Sequence, residues 1–293
     1  QGYDVSMMHR GTHDSDEIPV SVPRIIGDPH FRETLTEALS GRTFDLIIAT
    51  YGRIRYVAEI AGDHCDRLIT VGGAPCYRGM IQPELLTPVG MRIPLHEDAE
   101  KVPDIDEFRF GYLVRISEEA VMEGHAAGRY SATHFRYPSV YGPRQITPTI
   151  WALMRRFIDK RPHIVLPEGG LSISSRGYAE NVAHAVLLAA QQPAAASGQI
   201  YNCADNQQFT SAQWVEMIGQ EMGGNIDIIS VPDAYAFPAR TLMTFYGPAD
   251  HKFFDIYKIK SELGYCDVVD PMEALVRSVR WYCNAPPTES DDF

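Results

Sequence analysis

Alternating short apolar strands and amphipathic helices predict an α/β protein built on a doubly wound, mostly parallel sheet. Three observations carry this expectation. The runs "DLIIA" and "RLITV" are continuously apolar and short, as for parallel strands covered on both faces. The stretches "RIRYVAEIAG" and "GYLVRISEEAVMEGHAAG" have helical spacing and end on glycine. The two classes alternate along the chain, and each parallel connection needs such a crossover.

Taken in order, "YDVSMMHRG" reads as a strand followed by a glycine turn, and "PRIIGDP" as a second short strand. "HFRETLTEAL" is a helix with Phe31, Leu35 and Leu39 on one face. "TFDLIIAT" is a strand, "RIRYVAEIAG" a helix closed by Gly62, and "RLITV" the next buried strand, which runs into the turn at Gly72-Gly73. Residues 79–109 are Pro-rich and polar, and read as a loop over the C-terminal strand ends, where such sheets bind ligands. A helix closed by Gly128 follows, then "YSATHFRYPSVYGP", a strand running into a turn. "TIWALMRRFIDK" is an amphipathic helix with Arg155, Arg156 and Lys160 outward. "AENVAHAVLLAAQQP" is a helix stopped by Pro193, "GQIYNCA" a late strand, and "SAQWVEMIGQEMGG" a helix with Ser211 as its N-cap. The last helix, "PMEALVRSVRWYCN", begins at Pro271.

The chain has 293 residues, 45% of them hydrophobic, enough for one large α/β domain or two intimately joined ones. No window approaches the ~18 apolar residues of a membrane span. Five scattered cysteines without a C-x-x-C predict neither a disulfide framework nor a zinc site, and point to a reducing cytoplasm. His96, His134 and His251 lack metal-ligand spacing, and no metal is expected. A formal net charge of −12 opposes nucleic-acid binding, which needs a basic face. The tail "TESDDF" is acidic and reads as frayed.

The segments "FRYPSVYGPR", "SSRGYAENVAHAVLLAA" and "FFDIYKIKSELGY…PMEALVRSVRWY", in this order and spacing, resemble the extended short-chain dehydrogenase/reductase superfamily, in its NAD-dependent epimerase/dehydratase group. The short interval between "DLIIATYG" and "RLITVGG" is similar to the atypical branch, which includes chloroplast stem-loop-binding proteins. The resemblance implies a Rossmann-like domain over residues 1–143 and a smaller, mainly substrate-binding region over 144–293, with 177–204 returning to the core. It implies a small-molecule substrate and a homodimer, with "GYLVRISEEAVMEGH" as one contacting helix.

Two departures from the family stand out. The family opens with a strand, a Gly-rich phosphate loop and a helix; here Gln1-Gly2-Tyr3 resembles the end of that helix. In the strand order 3-2-1-4-5-6 the missing strand is central. Its neighbours "DVSMM" and "DLIIA" would lose a shared row of hydrogen bonds, at ~1–3 kcal/mol per orphaned buried group. A few such losses rival the ~5–15 kcal/mol stability of a domain. The expectation is a sequence that is incomplete, with an intact mass above 32.8 kDa.

The second departure is catalytic. The family uses Ser or Thr after its fifth strand and Tyr and Lys in a Y-x-x-x-K helix, where the ammonium lowers the phenol's pKa. Matching Tyr77 to the family's tyrosine after that turn puts the hydroxyl position at Gly73. Matching Glu118 to its helix glutamate puts Tyr at Phe110 and Lys at Val114. Tyr77, Tyr112 and Arg115 are the candidate replacements, with half-buried structural roles as the alternative; Tyr112 and Arg115 share a helix face, and Arg115 and Glu118 are close enough to pair.

For the cofactor, the resemblance puts Arg10 after the family's second strand, where NAD-preferring proteins usually place an acid and an arginine suits a 2′-phosphate, so NADP is expected ahead of NAD, with a solvated surface arginine as the alternative. Asp28 resembles the family's adenine-contacting aspartate, or caps the following helix. Ala49, Thr50 and Tyr51 end a strand at the ligand edge, or simply pack there; Gly72 and Gly73 leave room for cofactor or substrate, or form a plain tight turn; and Pro138 is a further cofactor-contact candidate. Arg176 resembles the arginine that meets the substrate's phosphate, or pairs with Glu180; Arg144 is a further anion contact. The functional expectation is an NAD(P)-binding oxidoreductase, epimerase or lyase for a small polar or anionic substrate, with an altered triad. The alternatives are a non-catalytic nucleotide sensor or scaffold and, more weakly, an RNA-binding protein.

Overall fold

The structure, a computed structural model, describes residues 2–12, 17–50, 52–146, 148–236 and 250–287. Strands β1 (Met7–His9) and β2 (Arg24–Ile26) pair in parallel. Helix α1 (Arg32–Leu39) leads to β3 (Ile47–Ala49), α2 (Ile54–Ala61) and β4 (Arg67–Gly73). After the long connection come α3 (Arg109–Ala126), β5 (Ser131–Tyr137) and β6 (Ser139–Tyr141). Helix α4 (Thr149–Ile158), β7 (His163–Pro167), β8 (Arg176–Tyr178), α5 (Ala179–Gln191), α6 (Pro193–Ala196) and β9 (Gln199–Asn202) follow. The chain continues through α7 (Ser211–Met222), β10 (Asp227–Val231), α8 (Asp233–Ala236), α9 (Tyr257–Leu263) and α10 (Pro271–Asn284).

The main sheet has the order β3-β4-β5-β9, all parallel. On one face Leu35, Val57, Ala58, Leu68, Val121 and Ala132 join α1, α2 and α3 to the sheet. On the other, Val182, Ala185, Ala189, Tyr201 and Ile259 join α5, β9 and α9 to it. The predicted doubly wound architecture is thus present, with α5 and β9 packed on the core. Among the described residues, β1 pairs only with β2 and β3 only with β4. That corrects one expectation: β3 is an edge strand here, and Ile48 is 43% exposed rather than covered on both sides. Phe31 is likewise exposed, because α1 begins one residue later and only Leu35 and Leu39 face inward.

A second core lies beyond β6. Trp151, Leu153, Met154, Ile164, Leu166, Trp214, Ile218, Leu275 and Tyr282 pack α4, α7 and α10 with the parallel pair β7–β10. Tyr141 and Tyr178, from the parallel pair β6–β8, also belong to it. Helix α7 is capped by Thr210, not Ser211: the Thr210 hydroxyl accepts from the Gln213 N–H while the Gln213 side chain accepts from Thr210 N–H. No helix among the described residues is long and apolar enough to cross a membrane.

Candidate active site

Strand β4 ends at the C-terminal edge of the sheet, with Gly72 paired to Arg136 and Gly73 to Tyr137 of β5. A 3-10 turn, Ala74–Cys76, carries the chain to Tyr77. The start of α3 lies against this turn, because Gly111 presents no side chain to the Pro75 carbonyl. Phe110 is 58% exposed and Val114 packs partly buried against Tyr77, Met80 and Leu95. The corner between β4 and α3 therefore holds a glycine, a phenyl ring and an isopropyl group at the three positions matched to hydroxyl, phenol and ammonium.

The two glycines differ in kind. A Cβ on Gly72 would lie 2.6 Å from Nε2 of His134, so the imidazole fills the space read as room for a ligand. Gly73 is extended (φ −157), and its added Cβ would meet only Pro75 Cδ at 3.2 Å and the Tyr137 carbonyl at 3.8 Å.

Beneath the corner lies a buried polar network. Arg136 donates from Nε to Oε2 of Glu118 at 2.6 Å and from Nη2 to Oε1 at 2.8 Å. Its Nη1 donates to the Tyr77 hydroxyl at 2.7 Å and to the Glu97 carbonyl at 2.6 Å. Tyr77 donates onward to Oδ1 of Asn202 at 2.6 Å. Lys101 donates to Glu118 Oε1 at 3.0 Å, and His134, bonded to Thr70 at 2.7 Å, brings Nε2 to 3.6 Å from Oε2. Burial works against charge on Glu118, but the bonds and charge of Arg136 prevail and lower its pKa to about 2. Burial lowers His134 to about 4, so the ring is neutral at pH 7.

This network revises the reading of Tyr77. The ring is 1% exposed, its hydroxyl is engaged on both sides, and burial raises its pKa above the ordinary phenol value. A group so held positions the turn, which is the structural role given above as its alternative. Nor does Glu118 pair with Arg115: it is buried against Arg136, and Arg115 instead pairs with Glu119, one helical turn on, at 3.7 Å. Arg115 does share a face with Tyr112, its guanidinium 5.2 Å from the ring centre.

At the other end of the ligand edge, Asp28 accepts from the His30 N–H at 2.9 Å and contacts the His30 ring at 2.8 Å. Its neighbour Pro29 accepts at the carbonyl from Arg53 N–H at 3.1 Å, which brings the end of β2 to the turn after β3. Ala49 is half-buried, Thr50 and Arg10 are exposed, and Tyr51 lies outside the described residues. Pro138 is half-buried beside Gly177. Arg144 is half-exposed, with φ 60, and pairs with Glu17 at 3.2 Å. Arg176 is 6% exposed, stacks 4.7 Å over Trp214 and reaches Thr149 Oγ1 at 3.5 Å; burial lowers its pKa to about 9. Glu180, its expected alternative partner, instead lies 4.0 Å from Arg277. The structure therefore keeps Arg144 and Arg176 apart in character, one solvent-facing and one enclosed.

Residues 86–204 match the sequence model of the NAD dependent epimerase/dehydratase family. Over that span the chain is similar to this family. The chain is 28% identical over 186 residues to the uncharacterized protein YbjS of Escherichia coli, covering 56% of this chain and 54% of that protein. It is 26% identical over 207 residues to the uncharacterized protein y4nL of Sinorhizobium fredii, covering 64% and 57%. The chain thus spans about half the length of the curated relatives it matches. Its fold is similar to dTDP-glucose 4,6-dehydratase from Bacillus anthracis in complex with NAD, with TM-score 0.74, 15% identity, and 97% of this chain and 89% of that one covered. It is equally similar to UDP-glucose 4-epimerase of Thermotoga maritima with UDP-glucose, with TM-score 0.73, 15% identity, and coverage of 98% and 93%.

Within the epimerase/dehydratase resemblance, sequence matching names Gly73, Phe110 and Val114 as the altered positions. It did not find Arg136, Glu97, Lys101 or Asn202, which come from three separate segments: β5, the connection between β4 and α3, and β9. One signal was available: an arginine inside a strand of the parallel sheet, "SATHFRY", has to find a buried carboxylate. Of the three histidines singled out in the sequence, His134 is buried, His96 lies 3.2 Å from Asp255, and His251 accepts from Ile173 N–H at 3.2 Å.

Proposed function

We propose that the chain binds a nicotinamide dinucleotide, NADP ahead of NAD, and acts as an oxidoreductase, epimerase or lyase on a small polar or anionic substrate without the usual Ser-Tyr-Lys group. The reading rests on the family match over 86–204 set against a corner that holds Gly73, Phe110 and Val114. The dinucleotide lies across the region 1–143, along Arg10, Asp28, Ala49, Thr50 and Pro138, and the substrate lies toward 144–293, with Arg144 and Arg176 as its anion contacts. When bound, the cofactor supplies a hydride acceptor or donor. Proton movement then falls to Tyr112 beside Arg115, to the substrate itself or to water, because neither a phenyl ring nor an isopropyl group carries a transferable proton. A homodimer through α3 belongs to the same reading.

Titration of NADPH and NADH by fluorescence, followed by turnover assays on a panel that includes nucleotide sugars, tests it. Saturable binding with turnover supports it; binding of neither dinucleotide rejects it. The vacant corner also favours a second reading, a nucleotide sensor or scaffold that has discarded turnover. Binding without turnover across the panel, and with no gain in the Gly73→Ser/Phe110→Tyr/Val114→Lys variant, is the result that second reading expects.

A further inference from the structure

The connection from β4 to α3 carries a closed loop, residues 80–95, beside the candidate active site. Its ends meet: Met80 and Leu95 are both buried in the cluster that holds Tyr77 and Val114. Arg78, just before it, donates to Glu107 at 3.0 Å and to Glu100 at 2.7 Å. At the other end the Leu95 N–H donates to the Phe253 carbonyl at 2.7 Å. Within the loop, the Gly90 N–H donates to the Pro83 carbonyl at 3.1 Å, a 3-10 turn spans Pro83–Leu85, and Met91 packs against the same cluster. The loop is therefore a compact excursion with close ends, held by its own bonds.

What it shows to solvent is apolar. Ile81 is 49% exposed, Leu85 40%, Val89 73% and Ile93 45%. Exposed apolar patches of about 300–600 Å² mark interaction surfaces, and four large side chains on one short loop reach that order. The charged residues of the loop are Glu84 and Arg92. Both are exposed, and among the described residues neither enters an ion pair, although the Pro83–Gly90 bond draws their two arms of the loop together.

Side chains so open do not enclose a small molecule, which needs a concave site that buries about 70–90% of its surface. An anionic lipid surface is opposed by Glu97, Asp98 and Glu100, which follow the loop on a chain of formal net charge −12. A second copy suits both features. A two-fold contact is self-complementary, so an apolar row meets an apolar row, and one free acid and one free base on each copy supply two ion pairs across the axis. The result has the apolar centre and polar rim of a protein interface. Because the loop is already held, little ordering entropy opposes docking.

We infer that residues 80–95 form a two-fold interface with a second copy of this chain, in which Glu84 of each copy pairs with the partner's Arg92. This contact is distinct from pairing through α3 and does not rest on the dinucleotide reading. If α3 pairs as well, the two contacts together build a tetramer.

Sedimentation velocity of the full chain over a concentration series, on the wild type and its variants, tests the inference. The wild type is expected to associate, and Val89→Asp to halve the mass, from dimer to monomer or from tetramer to dimer. Val89 is 73% exposed, so unchanged thermal melting shows that this variant keeps the fold. Glu84→Arg and Arg92→Glu should each weaken association by about tenfold or more, because like charges then face each other. The double variant Glu84→Arg/Arg92→Glu should return to within about threefold of the wild type, and so should an equimolar mixture of the two single variants. That rescue requires reciprocal pairing between copies. A monomeric wild type, a mass unchanged by Val89→Asp, or a double variant as weak as its singles combined overturns the inference. Binding of a monomeric wild type, but not of Val89→Asp, to phosphatidylcholine vesicles assigns the loop to a membrane surface and overturns it too.

Discussion

Glu118 and Arg136 are 1% and 2% exposed and satisfy each other through two short hydrogen bonds. Removing one partner strands a buried charge, so Glu118→Ala should cost about 3–5 kcal/mol in urea denaturation. His134 adds a pH dependence. Its pKa is lowered from 6.5 to about 4 by burial, so the unfolded chain takes up the proton first, and stability falls as pH drops from 6.5 toward 4. Asp205, raised from 3.8 to about 6 by burial, has the reverse effect: its contribution is present below 3.8 and lost as pH rises through 6. His134→Gln should therefore lose less stability than the wild type between pH 7 and pH 5, read as urea midpoints; parallel losses would show that the ring is not a neutral buried group. The same imidazole makes Gly72 the stricter of the two glycines. Gly72→Ala should be destabilising by about 1–3 kcal/mol through overpacking, and more than Gly73→Ala in the same assay. From sequence both glycines look alike, because nothing in "VGGAP" says that a histidine 62 residues later fills the space beside the first.

Among the elements, those with strong periodicity were legible. Helices α2, α3, α5 and α10 each bury the face their spacing predicts, and β4 is enclosed along its apolar run. Strands β7 and β10 were not read, since "HIVLP" and "DIISV" are five residues each and acquire meaning only by pairing across sixty residues of chain. The cap of α7 shows how fine the limit is. Thr210 and Ser211 are both good N-cap types, and only the backbone decides between them: Thr210 has extended φ/ψ (−68, 161) and the capping box. Thr210→Ala should cost about 1 kcal/mol in thermal or chemical unfolding, and Ser211→Ala much less. Equal losses would assign the cap wrongly.

At the scale of the whole molecule, the test is linkage. If a dinucleotide binds the folded chain and not the unfolded one, NADPH at a hundred times its dissociation constant should raise stability by about 2.7 kcal/mol, seen as an upward shift in Tm. No shift at saturating NADPH or NADH would remove the cofactor. The chain's order of elements determined by itself the parallel doubly wound sheet, and its residue types determined that Gly73, Phe110 and Val114 cannot form a phenol–ammonium relay. Both follow from local periodicity and side-chain chemistry, which are written in consecutive residues. The tertiary structure alone decided that Tyr77 is locked between Arg136 and Asn202, that His134 occupies the space at Gly72, and that Ile81, Leu85, Val89 and Ile93 stand exposed on one loop. Burial and long-range pairing set those outcomes, and both depend on what the folded chain brings against a residue from far away in sequence.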